Sequence, residues 1–360
     1  MRHPLRLGII GLGFGAKVQL PAFLSIPDAD VIALVDSGSG RAKQVAAGAG
    51  IPLWFNDWKR AVDTDDIDAI SVVTPPGIQA EVVCAAIAAG KHVLCEKPFG
   101  KNLADAKVML NLAQHSQLVH AVDFEFRMEP GIAELKRQID DGTIGPVRRI
   151  DVTWLTSGRS DPSLPWSWQH DAAQDGGVLD GYGSHVVDYL QWICQSSIVG
   201  VFARAKILVG RRKDINGLER KVTAEDSCDL LCDLANGAMA NLRLSNCYPF
   251  ACGHRIEIYG GQGRLLYTHK MPFTPGCAEV SIETDSKGLR PVQLEPLPSV
   301  KDLDTRISLF RKLACCFVEA AAGHVVQDLP SFANGLRVRR VLDAARESLE
   351  GRGYVPTTEV

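Results

Sequence analysis

The chain has 360 residues, enough for two domains, since single cores stop growing at about 250–300 residues. A net charge of −3 and an ordinary globular composition give no reason to expect nucleic acid or an anionic membrane as partner. No apolar run approaches the ~20 residues that span a bilayer, and the start MRHPLRLGII is too short for a signal peptide, so a cytoplasmic protein is expected.

Leu5–Ile10 reads as a strand that feeds into Gly11-Leu12-Gly13-Phe14-Gly15-Ala16, and a second apolar run, Val31–Val35, ends on Asp36. In a dinucleotide site Gly11 permits the tight strand-to-helix turn and Gly13 lets the backbone approach a pyrophosphate. Small Ala16 lets the helix pack closely on the strand. The helix that follows aims its free N–H groups and positive dipole end at the phosphates. Asp36 is placed to accept hydrogen bonds from a ribose diol. Glycines at this spacing also occur in other βα turns; the preceding strand, following helix and distant acid single out a dinucleotide site.

Arg41–Gly50 reads as a helix, Leu53–Phe55 as a strand, Asp57–Val62 as a short helix and Ile67–Val73 as a buried strand. Thr74-Pro75-Pro76-Gly77 opens a loop, and Gln79–Ala89 resumes as a helix closed by Gly90. His92–Cys95 is a strand broken at Glu96-Lys97-Pro98; Leu103–His115 is helical and Leu118–Val122 a strand. This alternation means a parallel sheet covered on both faces. Glu129–Asp141 then reads as a helix and Val147–Leu155 as a strand. Residues 156–175 hold no clear element, and Gly176–Cys194 looks helical in its second half. Strand-like runs follow at Val199–Val209, Ser227–Leu234, Ala238–Ser245, Arg255–Tyr259 and Arg264–Tyr267. Turns at Asn236-Gly237 and Gly260-Gly261 suit antiparallel hairpins. Helices are expected at about Leu303–Ala322 and Phe332–Leu349. The predicted fold is an α/β Rossmann domain, a doubly wound parallel sheet over 1–123, followed by an α+β domain with a mainly antiparallel sheet over 124–360. The C-terminal helix is expected to pack back on the first domain. The ten cysteines show no metal-site spacing: Cys84, Cys95, Cys194 and Cys247 lie in apolar surroundings, and Cys228/Cys232 and Cys315/Cys316 lack a suitably spaced histidine. Free thiols and no metal are expected.

Three stretches, GLGFGA, AGKHVLCEKP at Ala89–Pro98 and GGVLDGYGSHVVD at Gly176–Asp188, together resemble the Gfo/Idh/MocA family of NAD(P)-dependent sugar and cyclitol oxidoreductases. Lesser echoes are Thr74-Pro75-Pro76, Phe124-Glu125-Phe126-Arg127 and Pro330–Ser348, so the likeness covers essentially the whole chain. The resemblance implies a cofactor domain, then an open-faced sheet domain that forms homodimers or homotetramers through its sheet, with a small-molecule substrate. It implies that Lys97 and His185 serve catalysis. It also implies that the glycine turn, Asp36, Arg41, Thr74, Pro75, Pro76, Gln79, Glu96 and Lys97 contact the coenzyme. Three departures stand out. Gln79 replaces a frequent histidine and cannot titrate. Gly181 replaces a frequent aspartate, with Asp180 displaced by one; in a helix Asp180 would lie about 140° around from His185. Asp36 is followed by Ser37 rather than a basic residue, and its carboxylate repels a 2′-phosphate, which favours NAD; Arg41 can swing in, which keeps NADP open.

Oxidising a secondary alcohol requires hydride delivery to nicotinamide and removal of the hydroxyl proton. An imidazole such as His185 exchanges protons near neutrality, and an ammonium at Lys97 can polarise the substrate oxygen. Glu96 can orient the lysine or contact the nicotinamide ribose. Each residue has a plainer reading: Lys97 as a solvated strand-end lysine, His185 as a helix-start histidine satisfied by a neighbour, and Asp188 as its partner or as a cap. Trp166 and Trp168 offer aromatic faces to a sugar or the nicotinamide, or pack an interface. Arg127 binds substrate or braces the domains. Alternatives to a sugar or polyol dehydrogenase are a dihydrodiol or bilin-like substrate, and a non-catalytic nicotinamide-binding regulator.

Overall fold

Short apolar runs bounded by turn residues become a parallel sheet in the computed structural model, which describes residues 3–357 apart from 272, 273, 275 and 298–303. The strands β1 (Leu5–Ile10), β2 (Ala29–Val35), β3 (Leu53–Phe55), β4 (Ala69–Val72), β5 (His92–Cys95) and β6 (His120–Val122) lie in the order β3-β2-β1-β4-β5-β6. Every pairing is parallel. The winding reverses between β1 and β4, and ligands of such sheets bind beyond the carboxyl ends at that point. Gly11 sits there at φ +103°, where a Cβ would stand 2.3 Å from the Val73 carbonyl oxygen. Only glycine lets the two loops lie this close.

Helices Arg41–Ala49, Trp58–Val62, Pro76–Ala88 and Leu103–Gln114 connect these strands. The helix expected from Gln79 begins at Pro76, because proline at the first helical position gives up no needed hydrogen bond. Asp57 and Asn102 cap their helices by accepting the Lys59 and Asp105 N–H groups. By contacts, the described residues up to Met128 and those from 304 to Leu336 form one unit, and Glu129–Leu297 with those from Arg337 onward form another. This differs from a single boundary at 123/124. The late helix Ile307–Ala321 carries Phe310, Leu313 and Phe317 into the first unit's core, with Phe310 edge-on to Phe23 at 5.4 Å. Its expected start, Leu303, lies outside the described residues. The helix Phe332–Glu347 begins in the first unit and continues in the second.

In the second unit the helix Pro130–Asp140 precedes β7 (Val147–Leu155), and the helix Ser184–Cys194 precedes the remaining strands. These are β8 (Ile198–Lys206), β9 (Arg211–Lys213), β10 (Glu219–Lys221), β11 (Ser227–Leu234), β12 (Met239–Ser245), β13 (Gly253–Gly260), β14 (Arg264–His269), β15 (Glu279–Glu283), β16 (Arg290–Val292) and β17 (Val355–Pro356). Eight of them join β7 in the sheet β16-β15-β14-β13-β7-β12-β11-β8-β17, while β9 and β10 pair separately. Only β7–β12 is parallel; the neighbouring pairs are antiparallel. β11 alternates buried and exposed residues, as a sheet with one covered face requires. The run expected to continue to Val209 ends at Lys206, leaving Ile207 and Leu208 exposed. The β9–β10 hairpin escapes sequence reading because its strands, RRK and ERK, carry no apolar alternation.

A half-buried imidazole in the first unit and a buried one in the second tie folding to pH. Burial, then the neighbouring His92, lowers His120 to about 4; burial, then His269, lowers His254 to about 3. Unfolded histidine titrates near 6.5. Both therefore contribute stability that is full above about pH 6.5 and is lost as pH falls through 6.5 toward 4. Thermal unfolding followed by calorimetry should show Tm falling over this window, with a shallower fall in His254→Gln. A flat Tm from pH 7 to 4.5 would contradict the assignment.

Candidate active site

The coenzyme side of the first unit is built at the carboxyl ends of β1, β2 and β4. After Gly11 and Leu12 a π-helical turn, Gly15–Gln19, runs into the helix Leu20–Leu24. The close approach expected of Ala16 is made by Gly15 instead: a Cβ there would stand 3.0 Å from Ile9 Cγ2, whereas Ala16 is half-buried. The i→i+5 winding of this first turn changes which residue faces the strand. A Cβ on Gly13 would meet no protein atom within 4 Å, so packing alone does not call for glycine there. The side chains of Leu12 and Phe14 serve packing. Leu12 is buried, and Phe14 lies edge-on to Phe310 at 6.3 Å under the Arg306 guanidinium at 5.0 Å. Nothing near the glycine turn in sequence signals Arg306.

Asp36 follows β2 directly, with both oxygens engaged. Ser39 Oγ donates at 2.6 Å, Gly38 N–H at 2.9 Å and Ala42 N–H at 3.0 Å. Its limited burial works against the charge, but these bonds together hold the carboxyl below its ordinary value. A carboxylate has about four acceptor positions, so an acceptor remains for a ribose diol. Arg41 is exposed at the start of the helix Arg41–Ala49. At the end of β4, Thr74 is buried, and its Oγ1 has no hydrogen-bond partner among the described residues; Pro75 is exposed and Pro76 buried. Open space at Gly13, an ionised Asp36 and an unanswered hydroxyl at Thr74 fit a dinucleotide.

Gln79 is fully buried, and its amide joins two loops. Nε2 donates to the carbonyls of Glu96 at 3.1 Å and Thr74 at 3.4 Å, while Oε1 accepts the Gly100 N–H at 2.9 Å. It holds the loops rather than presenting an amide to a ligand. Glu96 and half-buried Lys97 follow β5, and the Lys97–Pro98 peptide is cis. Glu96 Oε2 accepts the Lys97 backbone N–H at 3.1 Å. Gln19, which carries no sequence signal beyond its place in the turn, donates from Nε2 to Glu96 Oε1 and Asp123 Oδ2, both at 3.2 Å. It accepts from Ser71 Oγ at 2.5 Å. Three acids thus crowd the carboxyl ends of β5 and β6. Burial, then the charges of Glu96 and Glu125, pushes Asp123 well up; burial raises Glu96; burial, then Glu96, pushes Glu125 up to about 8. Like charges in one desolvated place cannot all ionise. Arg127 is buried on the next turn, Glu125–Met128.

In the second unit the Gly176–Asp188 stretch resolves into parts. A Cβ on Gly177 would stand 2.3 Å from Glu225 Oε1, which accepts the Leu179 N–H at 2.9 Å. Gly177 therefore seats a carboxylate that anchors the π turn Leu179–Gly183, while Gly176 makes room for the Gln169 backbone. That turn leads into the helix Ser184–Cys194, whose first turn holds His185, 5% exposed, with Asp188 buried one turn on. Asp180 is buried and engaged elsewhere. Its Oδ1 accepts Arg339 Nη1 at 3.1 Å, and Oδ2 pairs with Arg346, both arginines on the C-terminal helix. A carboxylate held between two guanidiniums is not offered to a substrate. Trp166 donates its indole N–H to the Lys221 carbonyl at 3.2 Å beneath Arg220, as a packing residue does; Trp168 is 44% exposed. Sequence reading missed an aromatic stack. Trp154 lies between Tyr182 (4.4 Å, 13°) and His254 (4.6 Å, 15°), with the His185 ring 6.5 Å away.

A doubly wound coenzyme unit followed by an open-sheet unit with a buried helix-start histidine defines a two-unit, Rossmann-based oxidoreductase. Residues 5–124 match the oxidoreductase family with an NAD-binding Rossmann fold, and residues 132–266 match the Gfo/Idh/MocA C-terminal domain; the chain belongs to the Gfo/Idh/MocA family. It is an NAD-dependent oxidoreductase. It is 26% identical to a levoglucosan dehydrogenase of Pseudarthrobacter phenanthrenivorans, with 99% of each chain covered. It is 26% identical to the scyllo-inositol 2-dehydrogenase (NAD(+)) of Bacillus subtilis, with 74% of each covered. Among solved structures it resembles an oxidoreductase domain protein from Kribbella flavida (27% identity, TM-score 0.88, covering 99% of this chain and 100% of that one). It also resembles a levoglucosan dehydrogenase in complex with NADH and L-sorbose (25% identity, TM-score 0.87, covering 98% and 99%). No described helix is long and apolar enough to cross a membrane.

The placement of Asp180 makes its role testable. Asp180→Ala takes one of two carboxylates from buried Arg339, which keeps Asp343, and removes the ion-pair partner of Arg346; it should destabilise the fold by roughly 3 kcal/mol in denaturant unfolding. A change within experimental error would show that the ion pairs do not support the second unit.

Proposed function

We propose that the protein reversibly oxidises a secondary alcohol of a sugar, polyol or cyclitol, with Lys97 and His185 handling the proton. The observation that carries this reading is the way the Lys97 turn is held. Glu96 accepts its backbone N–H, Gln79 ties it to the β4 loop, and Gln19 connects Glu96 to Ser71 and Asp123. So many fixed partners around one half-buried lysine at the carboxyl edge of a parallel sheet suit a group that must meet a reacting oxygen. The sugar and inositol substrates in the names of the relatives support the substrate class.

When bound, the nicotinamide supplies the hydride acceptor. Gly11 and Gly13 offer backbone to its pyrophosphate, Asp36 receives a ribose diol, and Thr74 offers its buried hydroxyl. Lys97 polarises the substrate oxygen, and His185 takes the hydroxyl proton in oxidation and returns it in reduction.

Lys97→Ala and His185→Ala should each lower kcat/KM on a polyol panel on the order of 10²–10⁴-fold while NADH affinity, followed by fluorescence, stays nearly intact. Full turnover in either variant would remove that residue from the chemistry. Wild-type protein that binds NADH yet turns over none of the panel would favour a regulator. Asp36→Ala should shift the NAD/NADP preference toward NADP by roughly tenfold, and losing its bond to the Ala42 N–H should destabilise by about 1 kcal/mol. An unchanged cofactor ratio would take Asp36 out of the ribose site.

A further inference from the structure

Arg159 stands on the loop after β7, in the same unit as His185, without an opposite charge to match its own. Its side chain meets an imidazole and a carboxamide: Nη1 lies 2.9 Å from His170 Nε2, and Nη2 meets Gln169 Oε1. The ionisable neighbours that reach it are Tyr182, Arg212 and Cys247, none of them a carboxylate. Burial, reinforced by Arg212, holds this guanidinium below its ordinary pKa.

The contact with His170 is not a stable resting place. His170 Nδ1 accepts the Ser167 backbone N–H at 2.9 Å, so in the neutral ring the proton sits on Nε2. Burial, then Arg159 and Arg212, lowers His170 to about 4, so the ring is neutral near pH 7. Nε2–H and Nη1–H are then two donors facing each other. The imidazole is 6% exposed and fixed by its backbone bond, whereas Arg159 is half-buried, so the guanidinium is the group that must turn to an acceptor.

The surroundings add positive charge. Arg212, 3% exposed, donates to the carbonyls of Asp161 at 2.7 Å and Leu164 at 3.4 Å and to that of Arg159, which wraps the loop around it. The acids at hand are already engaged: Asp226 accepts the Leu208 and Val209 N–H groups at 2.7 and 3.0 Å, and exposed Asp161 accepts that of Ser163 at 2.8 Å. Beside Arg159, the Tyr182 hydroxyl lies 2.9 Å from Thr156 Oγ1, and the ring stacks on Trp154 toward His185.

We propose that Arg159, backed by Arg212 and flanked by Tyr182, forms a binding subsite for an oxyanion, so that the alcohol oxidised through His185 carries a carboxylate or phosphoryl group. An oxyanion gives the guanidinium fork the acceptors it lacks and offsets two neighbouring positive charges, which a neutral hydroxyl cannot do. The substrate half of this inference rests on the dehydrogenase reading; the binding half does not.

The test uses the whole protein with NAD⁺ and three ligands sharing one ring: glucose, glucuronate and glucose 6-phosphate. Binding is followed by tryptophan fluorescence and turnover separately by NADH formation. Wild-type protein should bind one or both anionic sugars about tenfold to a hundredfold tighter than glucose. Tighter glucuronate binding identifies a carboxylate, and tighter glucose 6-phosphate binding a phosphoryl group. Arg159→Gln should abolish the preference without altering glucose affinity, and Arg159→Lys should retain part of it. Equal binding of all three by the wild type, no detectable preference, or a preference that survives in Arg159→Gln overturns the proposal. Preferential binding without turnover supports the subsite and counts against the dehydrogenase reading alone.

Discussion

The contact between Gly11 and the Val73 carbonyl decides where everything else in the first unit can lie. With no Cβ at position 11, the loops after β1 and β4 close on each other at the point where the winding of the sheet reverses. Gly15 then packs on Ile9 and Val73, which sets the π turn that carries Gln19. From Gln19 the path runs by hydrogen bonds to Ser71 beneath and to Glu96 and Asp123 beside it. A single backbone approach on one side of the sheet therefore fixes the turn that bears Lys97 on the other. A side chain at position 11 would push these loops apart before any catalytic group was touched.

The two units handle buried charge differently. The first lets acids keep their protons: burial raises Glu96, Asp123 and Glu125, with repulsion adding to it at Asp123 and Glu125, so fewer than three charges stand there near neutrality. The second neutralises by pairing, with Asp180 held between Arg339 and Arg346. Pairing of this kind fixes geometry more surely than it adds stability. It explains why a carboxylate so near His185 in sequence is turned toward the C-terminal helix. Arg159 and Arg212 follow neither scheme, and their charge is left for something outside the unit to answer.

Most of the first unit was legible because its signals are local. Strand-length apolar runs, turn glycines and caps sit within a few residues of the elements they define, and the six strands fell where the runs are. What could not be read depends on partners distant in sequence. The helix Ile307–Ala321 has an apolar face like any other, and nothing in it says that Phe310 packs on Phe23 rather than in the unit that precedes it in the chain. The same holds for Ala16 and Gly15, whose roles exchange because the turn winds as a π-helix, and for β15, β16 and β17, which are short elements at or next to the edges of their sheet with weak alternation. At the site, Lys97, His185 and Asp36 carry chemistry in their residue types. Gln19, Tyr182 and Arg306 do not: their significance lies in what they touch.

Around Lys97 the two amides that hold position do not titrate, whereas Glu96 both accepts the Lys97 N–H and belongs to the acid cluster. Gln19 and Gln79 are amides, so the bonds that tie the turn to β4 and to Ser71 do not change with pH. The acids beside them do change. Below about pH 8 Glu125 keeps its proton, and above it a new negative charge arises next to Glu96 and within reach of Lys97 and Arg306. Raising the pH therefore alters the field on the lysine while leaving the amide bonds of its turn in place. A histidine at position 79, titrating near neutrality, would couple the two, and the loop geometry would then shift over the same range in which the proton is moved. Glutamine there keeps its own tie between the loops independent of the charges around the lysine.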